Sequence, residues 1–229
     1  NKGGDKAVAR NSSALSARLE IANSLEELVS LVKDEAKDLV SQRIAQFKNF
    51  PRHDVSNLFS ELCFCVLTAN WSAQGGMRAQ ELIDKGFLTM PPEDLEDALR
   101  SVGHRFAYQR ARFILENRQR AHLLPSIVNG SLSSPEARSM LVKNFKGIGW
   151  KEASHFLRNV GLLDVAILDK HILRLMHHYK LIENMPKGWT RARYEAHEQL
   201  LIPIAQELQA DLGEMDLYLW YAVKNTVDK

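Results

Sequence analysis

Cysteine is nearly missing from this sequence: only Cys63 and Cys65 occur, one residue apart in an apolar run. That spacing disfavours a mutual bridge and supplies no spaced set of thiols for a disulfide framework or a structural metal. A reducing, intracellular compartment is expected, cytoplasmic if the source is prokaryotic. Charge of one sign is lacking as well, since 30 Lys and Arg face 28 Asp and Glu, a formal net charge of +2. Any electrostatic footprint must therefore come from local clustering. No apolar stretch approaches the roughly 20 residues of a membrane span, and the N-terminal region has no hydrophobic signal core, so no membrane association is expected. Alternating apolar and polar runs are missing too, and the short apolar run "DVAIL" at 164–168, even if extended, makes no sheet alone. These absences leave an all-α protein.

What is present fits that class, with 229 residues, 45% of them hydrophobic, enough to bury a substantial core. Ser24 and Glu27 form a capping-box pattern ahead of an amphipathic stretch that Pro51 ends. "DVSNLFSELCFCVLTAN" predicts a more apolar, central helix, and "FAYQRARFILENRQRAHLL" a long helix with a basic face. A Ser-Pro-Glu opening starts another helix at 133–136, and a stretch from about 188 to 213 should kink or break at Pro203. The polar opening "NKGGDKAVARNSS" predicts a flexible tail over residues 1–14.

The most informative stretch is "NFKGIGWKEASHFLRNVGLLDVAILDKHILRLM", residues 144–176. Gly147 and Gly149 lie between two predicted helices, where a sharp turn exposes backbone N–H groups suited to phosphate oxygens; an ordinary helix-ending glycine explains them too. Lys151 falls in the first turn of the next helix, beside a helix end that is already partly positive. Such a place favours the uncharged, nucleophilic amine, though surface exposure is the commoner fate of a lysine. Asp169 opens the following helix as an N-cap, a position that also holds a carboxylate ionised and aimed.

Turn, lysine, apolar run, aspartate and His171, in that order, resemble the helix-hairpin-helix DNA glycosylase superfamily in its lysine-bearing, bifunctional form. The resemblance implies that Lys151 attacks the sugar carbon bearing the base, that Asp169 stabilises the oxocarbenium-like transition state, and that His171 contacts phosphate, an ordinary helix-surface histidine being the other reading. It also implies a monovalent cation at the carbonyls of Lys143, Phe145 and Ile148, with no redox cofactor and no catalytic divalent metal. "LTAN" matches the family segment whose asparagine, here Asn70, fills the gap left by a flipped nucleotide; a helix C-cap is the alternative. The iron-sulfur branch carries four cysteines near the C-terminal end, and none follows Cys65 here.

The wording around Lys151 and the closing "LYLWYAVKNTVDK" look like the archaeal-type 8-oxoguanine DNA glycosylase/lyases. That likeness implies that Trp220 stacks on the flipped base and Lys229 contacts it, with Phe106 as the candidate for the opposite wall. Trp220 as a core aromatic and Lys229 as a frayed end are the plainer readings. Arg105, Arg110, Arg112, Arg118 and Arg120 form either a phosphate-tracking face or a solvated helix surface. The expected architecture is two helical subdomains flanking a DNA-binding cleft. One is a six-helix domain over 51–161 with the hairpin, and the other is made of 15–50 and 162–229. The expected partner is double-stranded DNA containing 8-oxoguanine, and the expected state a monomer. A non-catalytic helix-hairpin-helix DNA-binding protein, or a glycosylase for another oxidised base, remain the alternatives.

Overall fold

Ten consecutive buried residues, Leu58 to Leu67, mark the centre of the protein's larger core. They belong to helix α3 (Val55–Thr68), which starts where the Asp54 carboxylate accepts the Asn57 N–H at 3.1 Å. An N-cap of this kind satisfies a backbone donor that the helix itself cannot. The computed structural model describes residues 2–229, and among them every regular element is helical. Two compact units are present: Phe47–Val165, continuous in sequence, and a split unit made of the segment up to Gln46 with Ala166–Lys229.

In the continuous unit, α3 is surrounded by α4 (Ala73–Ile83), the four-residue α5 (Gly86–Thr89), α6 (Pro92–Ser101), α7 (Ala107–Asn117), α8 (Leu124–Asn129), α9 (Ser134–Asn144) and α10 (Trp150–Asn159). The long basic helix expected after Phe106 is instead broken. Its second part is a 3₁₀ turn, Arg118–Leu123, followed by α8 with Pro125 in its first turn. Pro125 has no N–H to continue the α-helical ladder, and the chain tightens ahead of it. Arg118 turns inward there to bond the carbonyls of Gly86, Phe87 and Met90. α9 opens with the capping box expected at Ser133 and Glu136.

A buried polar chain braces α10 against the core. Glu61, 3% exposed, accepts from Gln80 Nε2 and Asn159 Nδ2, both at 2.9 Å, and Arg158 Nε donates to Asn159 Oδ1. Removing one member of such a chain takes a hydrogen bond from its buried neighbours, at a cost of about 1–3 kcal/mol for each lost bond.

The split unit contains α1 (Lys2–Ile21), α2 (Leu25–Lys48), α11 (Lys170–His178), α12 (Arg191–Glu207) and α13 (Leu212–Lys224). The segment expected as a flexible tail is helical from Lys2. Its first turns lie exposed, but Asn11, Ala14, Leu15, Arg18 and Leu19 are half-buried at helical spacing, and that stripe docks on α13. Arg18 donates to the carbonyls of Ala222 at 2.8 Å and Tyr221 at 3.4 Å, a cation at a helix C-terminus where the macrodipole favours one. The break expected at Pro203 does not occur, since α12 runs through it while Leu201, Ile204 and Ala205 stay buried. "DVAIL" forms neither helix nor strand.

Candidate active site

The glycine turn between α9 and α10 is built by contacts that only glycine permits. Gly147 has φ +75°, and a Cβ there would lie 2.9 Å from the Phe113 ring and 3.2 Å from Val66. Asn117, 2% exposed, clamps the peptide of Lys146 from both sides, donating to its carbonyl at 2.9 Å and accepting its N–H at 2.8 Å. Phe145 and Ile148 plug the turn into the core.

Lys151 follows in the first turn of α10 and is half-buried. The positive surroundings expected from its helix position are offset by a carboxylate: Glu152 Oε2 lies 3.4 Å from Lys151 Nζ. Glu152 Oε1 accepts the Gly149 N–H at 3.0 Å, so one side chain ties the turn to the lysine. The sequence reading did not single out Glu152, although Gly149 and Glu152 stand at capping-box spacing.

Asn70 lies exposed just past the end of α3 in the left-handed region, φ 58°. Asparagine tolerates that conformation better than most residues; the helix C-cap is Ala69, and Asn70 sits one position beyond it in a turn closed by the Trp71 N–H on the Thr68 carbonyl at 3.0 Å. Neighbours not picked out from the sequence hold this corner. Buried His104 places Nε2 3.0 Å from the Leu67 carbonyl, its Nδ1 accepts the Phe106 N–H at 3.0 Å, and Trp71 packs on its ring. One partner is an obligate acceptor and the other an obligate donor, so the neutral Nε2–H tautomer is the one that fits. Burial pushes the His104 imidazole below its usual pKa. Arg105 reaches the Asn70 carbonyl at 3.4 Å. Phe106 is 42% exposed at the start of α7, with the guanidinium groups of Arg105 and Arg110 near its ring.

The five arginines do not form one surface. Arg110 is buried on the Val66 carbonyl and Arg118 is half-buried on the carbonyls of Gly86, Phe87 and Met90, because helix ends packed inside need donors. Arg105, Arg112 and Arg120 stay exposed.

Asp169, His171, Trp220 and Lys229 belong to the split unit. Asp169 is the N-cap of α11, its Oδ1 accepting the Ile172 N–H at 2.9 Å. The preceding strap, Ala166–Leu168, is buried and held by α12: Glu198 accepts the Ala166 N–H at 2.8 Å, and the Tyr194 hydroxyl bonds the Ala166 carbonyl and the Leu168 N–H. His171 packs edge-on against Trp220, ring centroids 5.5 Å apart. Burial lowers the His171 pKa, partly opposed by Asp169. Trp220 is half-buried on α13, whereas Leu217 and Leu219 are core. Tyr221 is half-exposed and bonds Glu35 through its hydroxyl at 3.0 Å.

A glycine hairpin with a lysine on its second helix, in an all-helical chain whose later helix is capped by aspartate, defines the helix-hairpin-helix DNA glycosylase class. Residues 40–210 match the family model described as 8-oxoguanine DNA glycosylase. The 8-oxoguanine DNA glycosylase/AP lyase of Thermotoga petrophila is 52% identical over 199 residues, covering 86% of this chain and 95% of the relative. That of Methanocaldococcus jannaschii is 46% identical over 197 residues, covering 86% and 95%. The crystal structure of the Thermotoga maritima 8-oxoguanine DNA glycosylase superposes with TM-score 0.86 at 51% identity, covering 90% of this chain and 98% of its own. The M. jannaschii glycosylase/lyase in complex with a 15mer DNA containing 8-oxoguanine gives 0.85 at 44%, covering 90% and 99%. The chain belongs to the 8-oxoguanine DNA glycosylase family.

Proposed function

We propose that this protein is a bifunctional DNA glycosylase and lyase that excises 8-oxoguanine from double-stranded DNA and then cuts the strand. The observation that carries the reading is Lys151, held half-buried on the first turn of α10 directly behind the Gly147 turn. The relatives' named activity supports the same reading.

Base flipping comes first, because the reacting sugar carbon is shielded inside a stacked duplex. The hairpin turn takes the backbone phosphate through the Gly147 N–H, the expected Gly149 N–H being held by Glu152; Asn70 fills the vacated position, and Trp220, Lys229 and Phe106 contact the extruded base. His171 contacts phosphate. A monovalent cation, when bound, would sit at the carbonyls of Lys143, Phe145 and Ile148 and supply positive charge toward a phosphate oxygen. Lys151, once it has lost its proton, attacks the anomeric carbon with its lone pair. The glycosidic bond breaks, and its electrons and a proton leave with 8-oxoguanine. Asp169, ionised and fixed by its cap, stabilises the positive charge that develops on the sugar. The ring opens to a Schiff base, a proton is lost from the adjacent carbon, and β-elimination expels the 3′ phosphate. The protein acts as a monomer inside the cell, in the cytoplasm if its source is prokaryotic.

Borohydride trapping on an 8-oxoguanine duplex tests this directly. Wild type gives a covalent protein–DNA adduct, and Lys151→Gln binds the duplex but gives none. An adduct of undiminished yield with Lys151→Gln rejects the lysine as nucleophile.

A further inference from the structure

The last five residues follow a defined path. α13 ends on Asn225 in the left-handed conformation, φ 57°, with its N–H on the Tyr221 carbonyl at 2.8 Å. Asn225 Nδ2 also donates to Asn11 Oδ1 of α1 at 2.8 Å. Val227 is buried, and its carbonyl accepts from Arg43 Nε of α2 at 3.1 Å. Asp228 then turns back onto α13. Its Oδ2 accepts from the Trp220 indole Nε1–H at 3.3 Å and from the Thr226 hydroxyl at 3.1 Å.

The bond to Trp220 fixes more than a distance. An indole has one polar atom, a donor on one edge, so rotating the ring by half a turn moves that N–H away from the carboxylate. At 3.3 Å the bond to this carboxylate is long, so it orients the ring more than it adds strength. His171 meets the same ring edge-on. One carboxylate thus couples the plane of Trp220 to the course of the terminal residues.

We propose that Asp228 is a positioning residue for base recognition, holding the Trp220 ring and the adjoining Lys229 in one fixed relation. This rests on the reading of Trp220 and Lys229 as contacts to an oxidised purine. Asp228 itself touches no substrate. It removes the rotational freedom that the indole and the tail would otherwise lose on binding.

The test joins a spectroscopic and a kinetic readout. In ¹H–¹⁵N spectra the four tryptophans give four indole signals, and Trp220→Phe assigns one of them. Asp228→Ala shifts the Trp220 signal and leaves those of Trp71, Trp150 and Trp189 in place. Single-turnover base release from an 8-oxoguanine duplex falls about tenfold, as expected for loss of one charge-assisted bond, while cleavage at a preformed abasic site stays within about twofold. Asp228→Asn, whose amide oxygen still accepts, restores most of the base release. If Asp228→Ala does not fold, Thr226→Val, which removes only the hydroxyl on the same oxygen, carries the test with a smaller drop. An unmoved Trp220 signal, or equal losses in both reactions, overturns the proposal. A wild-type protein that leaves 8-oxoguanine in place overturns the substrate reading instead, whatever the indole signal does.

Discussion

Asp169 combines two roles that one substitution separates. Asparagine caps helices about as well as aspartate, so Asp169→Asn keeps the bond to the Ile172 N–H and removes only the charge. Base release should slow by roughly 10²–10³-fold, the scale seen when a fixed electrostatic stabiliser is lost, with the urea midpoint nearly unchanged. Release near the wild-type rate would leave Asp169 a cap and nothing more. Gly147 gives the complementary case. Alanine there must adopt φ +75° and place its Cβ 2.9 Å from Phe113, so Gly147→Ala should cost about 1–2 kcal/mol from the backbone alone, and more from the contact. Denaturant titration checks the stability, and duplex binding, measured on the folded fraction, should weaken with it. Both residues were legible in the sequence because each belongs to a local pattern, a turn and a cap. Glu152 and Asp228 were not, since a carboxylate among 28 acidic residues acquires meaning only from what it touches.

Elements are joined by side chains whose protonation or charge can be altered. His104 links the end of α3 to the start of α7 through both ring nitrogens, which requires the neutral ring. Its pKa in the fold lies below the unfolded value of 6.5. The stability it contributes is therefore complete above about pH 6.5 and lost as pH falls through the lower folded value. Unfolding free energies measured from pH 8 down to 5 should decline over that range, and His104→Gln should flatten the part of the decline that it causes. A profile identical in both proteins would remove His104 as its source. At the other end of the chain, α1 divides into an exposed beginning and a docked stripe. Deleting residues 3–9 should change stability by less than about 0.5 kcal/mol, because these residues are exposed and exposed positions contribute little. Arg18→Ala should cost about 1.5–3 kcal/mol, since it removes charged bonds to the carbonyls of Tyr221 and Ala222. Thermal melts of the two variants separate these outcomes. The helical spacing of Asn11, Ala14, Leu15, Arg18 and Leu19 was present in the sequence, but two glycines and a run of small polar residues obscured it.

Across the whole molecule, a net charge of +2 cannot by itself hold a polyanion, so affinity for DNA depends on where the cations stand. Arg105, Arg112 and Arg120 remain on the surface of the continuous unit, which also carries the hairpin. About four phosphate contacts would lower the binding constant roughly 10²-fold between 50 and 200 mM salt, from a slope near −0.9 per contact. Fluorescence anisotropy with an undamaged duplex measures that slope. Replacing exposed Arg112 should reduce it by about one contact, whereas buried Arg110 should register as lost stability. The sequence placed all five arginines on one basic stretch, and only packing divided them.

The sequence by itself determined the all-helical class, the hairpin with its lysine, the capping aspartate and the resemblance that names the chemistry. Each is written in residues close together along the chain, where backbone geometry leaves few choices. Tertiary structure alone decided which arginines turn inward, which carboxylate meets Lys151, how Asn11, Arg18 and Arg43 fix the C-terminal segment, and that Asp228 returns to Trp220. Those outcomes depend on burial and on hydrogen-bond partners brought together by folding, which sequence spacing does not encode.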